Sequence, residues 1–278
     1  MKTVRTIAEL REHVRGWRKN NETVGLVPTM GGLHAGHVSL VGLSRANADR
    51  TIASLFVNPS QFAPHEDFAT YPRTEEIDRK MLAEAGTDVL FAPNVSEIYP
   101  DGHSTKVEVL GLSKILEGEF RPDFFAGVAT VVTKLLLQAL PDVAVFGEKD
   151  YQQLCVIKTM VRDLDIPTKV LGAETIREAD GLAMSSRNLY LTEEERKIAP
   201  VLFEAITEVA ENIKKGQSPA SQRSWAEAKL TKAGFGAVDY VAVRDARTLG
   251  AVRDASRPAR VLAAAYLGRA RLIDNVPV

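Results

Sequence analysis

The chain is short of several features that mark large classes of protein. It has one cysteine, Cys155, in 278 residues, so it can form no internal disulfide and offers few thiolate ligands for structural zinc. No apolar run approaches the roughly 18 residues that a membrane span needs. Lys and Arg number 35 against 36 Asp and Glu, for a net charge of −1, and no basic block stands out, so nothing points to nucleic acid. There is no repeat and no low-complexity tract. Met1-Lys2-Thr3-Val4-Arg5 runs into charged sequence without an apolar core of signal-peptide length, so a cytoplasmic location is expected. What remains is 45% hydrophobic and 26% charged, the balance of a globular enzyme of one or two domains.

Periodicity sets the expected elements. Ile7, Leu10, Val14 and Trp17 recur at helical spacing and predict an inward-facing stripe on a helix over 6–19. Buried strands are expected at 24–28, 51–57, 88–92, 142–146 and 168–171, with a short one at 106–109. Residues 67–74 read as a loop. Thr74 is placed to cap a helix over 75–86, with Ile77, Met81, Leu82 and Ala85 inward. A loop at 118–127 leads into an apolar helix to 140. A helix over 151–164 buries Leu154, Ile157, Met160 and Val161, with Cys155 packing as a small hydrophobe. Alternating strands and helices imply an α/β fold with a doubly wound parallel sheet over 1–174. The texture changes near Thr175. Thr192 and Glu195 form a capping box opening a helix to 214, with a kink at Pro200. A helix over 224–233 and strands at 238–243, 260–267 and 271–273, joined by tight turns, make a smaller α+β domain over 175–278.

The most informative stretch is Val24-Gly25-Leu26-Val27-Pro28-Thr29-Met30-Gly31-Gly32-Leu33-His34-Ala35-Gly36-His37. A strand hands over to a helix through a turn with three glycines. The first N–H groups of a helix are unpaired and its dipole is positive there, which favours an anion. Glycine lets backbone approach a phosphate closely. A spacing of three puts His34 and His37 on one side of the first turn, each with an N–H to donate. Two satisfied histidines, a surface pair or a metal pair are the alternatives, though helical metal pairs favour i, i+4.

Ligands of open α/β sheets bind beyond the carboxyl ends of strands. Asn58 and Gln61 follow one strand and either hold a small polar substrate or cap a proline turn. Gly147, Glu148, Lys149, Asp150 and Gln153 follow another. There Lys149 is a point charge for phosphate, and Asp150 suits a ribose hydroxyl or a water-bound Mg²⁺; an exposed helix start is the plainer alternative. Asp180-Gly181-Leu182-Ala183-Met184-Ser185-Ser186-Arg187-Asn188 is a polar turn placed to swing onto a triphosphate.

Taken in order, Pro-Thr-Met-Gly-x-Leu-His-x-Gly-His, Phe-Val-Asn-Pro-x-Gln-Phe, Tyr-Pro-Arg-Thr, Phe-Gly-Glu-Lys-Asp-Tyr-Gln-Gln-Leu, Asp-Gly-Leu-Ala-Met-Ser-Ser-Arg-Asn and Arg-Leu-Ile-Asp-Asn form a far more specific signal than any one of them. Over essentially its whole length the chain resembles the pantoate–β-alanine ligase (pantothenate synthetase) family. The resemblance implies a Rossmann-like nucleotidyltransferase domain of the kind found in class I aminoacyl-tRNA synthetases. His34-Ala35-Gly36-His37 is similar to their HIGH signature, and Met184-Ser185-Ser186-Arg187 stands in place of their KMSKS loop.

It also implies two steps. ATP and (R)-pantoate give pantoyl adenylate and pyrophosphate; β-alanine then gives pantothenate and AMP. Mg²⁺ and a homodimer come with the resemblance. By matching positions, ATP would contact Met30, Gly31, Gly32, Leu33, His34, Ala35, Gly36, His37, Gly147, Glu148, Lys149, Asp150, Ile176, Met184, Ser185, Ser186 and Arg187. Gln61 and Gln153 would hold pantoate with Asn58 as a helper, and Gln61 would also reach β-alanine. His37 would be a proton donor. Because the pantoate carboxylate attacks the α-phosphate itself, no protein nucleophile is needed. His34, His37, Lys149, Ser185, Ser186 and Arg187 are donors suited to added negative charge.

Two positions depart from the family pattern. Ser60 stands where Met is usual, and Phe124 where Arg-Pro-x-His-Phe-x-Gly has histidine. The second removes any bond that histidine makes to substrate and leaves pantoate with more apolar contact. Two rival readings remain at this point. One is a nucleotidyltransferase whose product keeps AMP; the other is a regulator that binds ATP without releasing pyrophosphate.

Overall fold

The computed structural model describes residues 1–63, 66, 68–254 and 256–278. Asp67, the start of the expected 67–74 loop, lies outside the described residues. The chain divides into two compact units: Met1–Glu148 with Val156–Glu174, and Lys149–Cys155 with Thr175–Val278.

The first unit is built from β1 (Lys2–Val4), α1 (Ile7–Lys19), β2 (Val24–Thr29), α2 (Ala35–Arg45), β3 (Arg50–Leu55), α3 (Glu75–Glu84), β4 (Val89–Phe91), α4 (Val95–Ile98), α5 (Glu117–Phe120), α6 (Phe124–Ala139), β5 (Val143–Gly147), α7 (Tyr151–Asp163) and β6 (Lys169–Ala173). The first turn of α7 belongs to the second unit. The sheet order is β1-β4-β3-β2-β5-β6, parallel throughout, as the alternating pattern predicts. Val27, Ala53, Leu90, Val143 and Val145 pack with Leu40 and Val41 of α2 and Leu82 of α3. Their strand neighbours Leu26, Ile52 and Ala144 take the opposite face, where α6 packs on β2. Thirteen of the 16 residues of α6 are buried, the state of a helix apolar all round.

The order reverses at β2 and β5, and there the sheet splits. Their ladder ends at Leu26 and Ala144. By contrast, β2–β3 pairing runs on to Thr29 and Leu55, and β5–β6 pairing to Gly147 and Ala173. The N-terminus of α2 is launched from this split, and α2 packs on both β2 and β5.

Several expectations need correction. No strand forms at 106–109; the Val107 N–H donates instead to Thr130 Oγ1 of α6. In α3 the inward positions are Asp78 and Leu82, while Ile77 is 63% exposed. Thr74 makes no side-chain bond to the helix backbone; its hydroxyl donates to Asp78 Oδ2. In α1, Leu10 and Val14 are buried but Ile7 and Trp17 only partly so. The helix expected after 127 begins at Phe124, preceded by the short α5.

The second unit contains α8 (Glu193–Ile198), α9 (Val201–Lys214), α10 (Pro219–Ala233), β7 (Val238–Asp245), β8 (Ala259–Leu267) and β9 (Ala270–Pro277). Pro200 does more than kink the expected helix: it starts a new one, because proline has no N–H to give and suits a first turn. α8 carries the expected Thr192–Glu195 capping box. The antiparallel sheet β7-β8-β9 packs one face on α9 and α10. Only β8 and β9 are joined tightly; residues 246–258 separate β7 from β8. Among the described residues no helix is long and apolar enough to cross a membrane.

Candidate functional site

The turn after β2 has a mechanical logic. Gly31 and Gly32 adopt φ of +91° and +63°, a region that costs other residues energy. The turn lays its N–H groups on one carboxylate: Gly32 N donates to Asp78 Oδ2 at 3.0 Å and Leu33 N to Asp78 Oδ1 at 2.9 Å. Asp78 is 1% exposed. A buried carboxylate needs such donors, which is why α3 turns Asp78 inward rather than Ile77.

His34 is the N-cap of α2 in extended conformation. Its Nδ1 accepts from Gly36 N at 3.2 Å, and its own N–H donates to His37 Nδ1 at 3.3 Å. The two histidines thus form a reciprocal capping box, a job normally done by Ser or Thr with Glu or Gln. A nitrogen that accepts carries no proton, so each neutral ring has its one N–H at Nε2. The ring centroids are 4.2 Å apart.

The turn after β3 is held by side chains. Asn58 Oδ1 accepts from Ser60 Oγ at 2.8 Å and Tyr99 OH at 2.8 Å. Asn58 Nδ2 donates to Gln61 Oε1 at 3.0 Å and to the Gly127 carbonyl at 3.2 Å. Gln61 Nε2 then donates to Met30 Sδ at 3.0 Å. Asn58 is 1% exposed, and both its amide hydrogens are spent on protein. Asn58 caps the proline turn, as one of the two alternatives expects, and its amide fixes the Gln61 amide. A Cβ on Gly127 would lie 2.2 Å from the Ser60 carbonyl, so only glycine lets α6 approach this turn. Burial raises the Tyr99 pKa, against hydrogen bonds with Ser60 and Asn58 that lower it; the phenol stays a donor at neutral pH.

Both departures have a structural account. Ser60 contributes a hydroxyl to the Asn58–Tyr99 network. Phe124 lies under the Arg121 guanidinium, 3.8 Å from Cζ to ring centroid. Arg121 in turn binds Glu66 through Nε and Nη2 and the Gln61 carbonyl at 3.3 Å.

In the second unit, Lys149 and Asp150 lie in a single 3-10 turn before α7, with Nζ 3.8 Å from the Asp150 carboxylate. Gln153 follows in the first turn of α7. Residues 176–184 form a small hairpin: Met184 N donates to Ile176 O and Glu178 N to Leu182 O, so Ile176 and Met184 are neighbours. Ser185 caps the turn Ser186–Tyr190 through its bond from Arg187 N at 3.2 Å. Arg196 ties down the hairpin through Glu178 and Asp180, and its hydrogen bond holds the Asp180 carboxyl below its ordinary pKa.

Within the first unit the structure therefore joins Met30, His34 and His37 on one turn and ties Gln61 to Met30. Within the second it gathers Lys149, Asp150 and Gln153 on one segment and Ile176 with residues 184–187 on another. Gln61 and Gln153 fall on different units. Sequence reasoning missed the parts played by Asp78, Tyr99 and Arg121, which reach the candidate site residues across 41 to 60 positions of the chain. Among the described residues, no group of three or more His, Cys, Asp or Glu side chains could hold a metal.

The family model for pantoate-beta-alanine ligase matches residues 2–277. Pantothenate synthetase of Paramagnetospirillum magneticum is 57% identical over 275 residues, covering 99% of this chain and 97% of that one. That of Caulobacter vibrioides is 54% identical over 280 residues, at 99% and 98% coverage. The crystal structure of pantothenate synthetase from Thermus thermophilus aligns with a TM-score of 0.93 at 48% identity, covering 99% of each chain. A Francisella tularensis pantoate-beta-alanine ligase, solved with beta-gamma ATP and beta-alanine, aligns with a TM-score of 0.84 at 36% identity, covering 99% of this chain and 97% of that one.

Proposed function

The chain belongs to the pantoate-beta-alanine ligase family, and we propose on that premise a division of labour among its residues. The enzyme condenses (R)-pantoate with β-alanine at the expense of ATP. A pantoate carboxylate oxygen bonds to the α-phosphorus as the bond to the β-phosphate oxygen breaks, and pyrophosphate leaves. The β-alanine nitrogen then bonds to the acyl carbon, AMP leaves with the carboxylate oxygen, and the nitrogen loses its proton.

The observation that carries the proposal is the reciprocal box of His34 and His37. It commits both Nδ1 atoms to backbone, so each imidazole brings Nε2–H to a phosphate oxygen. His37 as proton donor acts from Nε2, since a proton on Nδ1 would break the box. Met30, Gly31, Gly32, Leu33, Ala35 and Gly36 line the nucleotide beside them. Gly147, Glu148, Lys149, Asp150, Ile176, Met184, Ser185, Ser186 and Arg187 complete the ATP contacts, with Lys149, Ser185, Ser186 and Arg187 stabilising charge on the phosphates. Gln61, oriented by Asn58, holds pantoate and reaches β-alanine, and Gln153 holds pantoate. Mg²⁺ enters on the ATP phosphates as part of the substrate, and no step depends on a resident metal. The working form in this reading is a cytoplasmic homodimer, which the family resemblance supports.

Mass spectrometry of the protein with ATP, Mg²⁺ and pantoate labelled with ¹⁸O in its carboxylate tests this reading. Pyrophosphate and pantoyl adenylate should form without β-alanine, and labelled AMP with pantothenate on its addition. Unlabelled AMP would rule out the adenylate route.

A further inference from the structure

The closing motif Arg271-Leu272-Ile273-Asp274-Asn275 has no part in the reading above. Successive side chains of a strand point to opposite faces of its sheet. On β9, Leu272 and Val276 enter the core with α9 and α10, and Asp274 shares their side. It is 3% exposed on its side chain and accepts Arg177 Nη1 at 2.6 Å and Nη2 at 2.9 Å. The same guanidinium lies 3.9 Å from the Phe203 ring centroid and donates to the Gly181 carbonyl across its own hairpin. Asn275 takes the other face, where its Nδ2 donates to the Lys149 carbonyl at 2.9 Å. Lys149 is followed there by Tyr151, whose OH donates to Ala246 O and whose ring lies under Arg260. One dipeptide step thus holds the 176–184 hairpin on one face of the sheet and Lys149 on the other, all within the second unit.

We propose that Asp274 and Asn275 are positioning residues for ATP. They mount the Lys149 backbone and the segment carrying Ser185, Ser186 and Arg187 on one strand, so these donors meet the triphosphate as one frame rather than as two independent loops. Neither residue touches the nucleotide. The inference rests on the assignment of Lys149 and residues 185–187 to ATP. Lysine is a point charge on a flexible stem, so its backbone anchor decides where the charge can reach.

The test is a double-mutant cycle in the full-length protein, read as the rate of pyrophosphate release at saturating pantoate. Asn275→Ala should lower the rate on the order of tenfold, short of the roughly hundredfold that a 1 Å misplacement can cost. In a Lys149→Ala background it should change the rate less than about twofold, since coupled residues are not additive. Asp274→Asn paired with Arg187→Ala should behave alike. Equal losses in both backgrounds, the signature of a merely structural role, would overturn the positioning inference and leave the ATP assignment standing. A Lys149→Ala variant with the parent rate would instead overturn the ATP assignment, and the inference with it. If Asn275→Ala does not fold, Asn275→Ser takes its place in the cycle with the same two outcomes.

Discussion

The turns after β2 and after β3 follow neighbouring parallel strands, yet they are held in opposite ways. After β2 the backbone is gripped from behind by the Asp78 carboxylate, and the two histidines brace each other through Nδ1. The groups proposed to act are thus each held at Nδ1. After β3 the side chains hold one another: Tyr99 and Ser60 hold Asn58, and Asn58 holds Gln61. The first arrangement presents neutral imidazole N–H donors at a helix N-terminus, where an anion is already favoured. The second presents one amide in one chosen orientation, which suits recognition of a small polar substrate. Changes in the first turn should therefore fall on kcat, and changes in the second on the KM for pantoate.

The largest expected effect is at His37. His37→Ala removes a phosphate donor and half of the box, and pyrophosphate release should slow about 10²–10³-fold, the cost of losing one oxyanion-hole donor. An equal loss of kcat in Asn58→Ala would break the comparison. Asp78→Asn comes next. It sets an amide N–H against a turn N–H, with an expected loss of about 1–3 kcal/mol in chemical unfolding and a slower first half-reaction. Unchanged stability and rate would show that the turn holds itself.

Asn58→Ala should raise the KM for pantoate about tenfold with kcat nearly kept, the mark of lost ground-state binding. Tyr99→Phe removes one of several donors to Asn58 and should cost about threefold or less. A kcat effect from either would erase the contrast between the turns. Phe124→His restores the usual family residue beside Arg121, and the KM for pantoate should fall a few-fold, as expected for one regained hydrogen bond; an unchanged KM would mean that the histidine bond was never missing here.

The smallest effect separates both turns from the 176–184 hairpin, whose ion pairs are partly exposed. The hydrogen bond from Arg196 holds the Asp180 carboxyl below its ordinary pKa. A depressed carboxyl pKa adds stability above the unfolded value and loses it as pH falls through the folded one. Asp180→Asn should slightly flatten the acid limb of a melting-temperature profile below about pH 4 and leave neutral pH alone. A change at neutral pH would assign Asp180 a role beyond its pair.

How much was legible in the chain follows from the range of each interaction. Strands β2, β3 and β5 and helices α2 and α7 announce themselves because burial on both sheet faces demands apolar runs. The α3 stripe was misread by one residue, since Ile77 and Asp78 exchange the places that hydrophobicity assigns them. Only the Gly31–Leu33 turn, 45 and 46 residues away from Asp78, makes a buried Asp78 carboxylate favourable. Residues 106–109 alternate like a strand, but the Val107 N–H is taken by Thr130 and no strand partner competes for it. Ser60 and Phe124 are visible as departures and Arg121 as part of the same motif, whereas Tyr99 and the contacts it makes are not.

By itself the sequence determined the family, the alternating α/β order and the glycine turn with its two histidines. These depend on neighbours in the chain: period, caps, turn residues and short motifs. The tertiary structure alone decided that the sheet splits between β2 and β5, that both histidines spend Nδ1 on the helix cap, and that Asn58 serves Gln61. It also decided that Asp274 and Asn275 grip opposite faces of a strand. Those outcomes need groups far apart in sequence to meet at hydrogen-bond distance, and a bond of about 3 Å is set by packing, which no local pattern encodes.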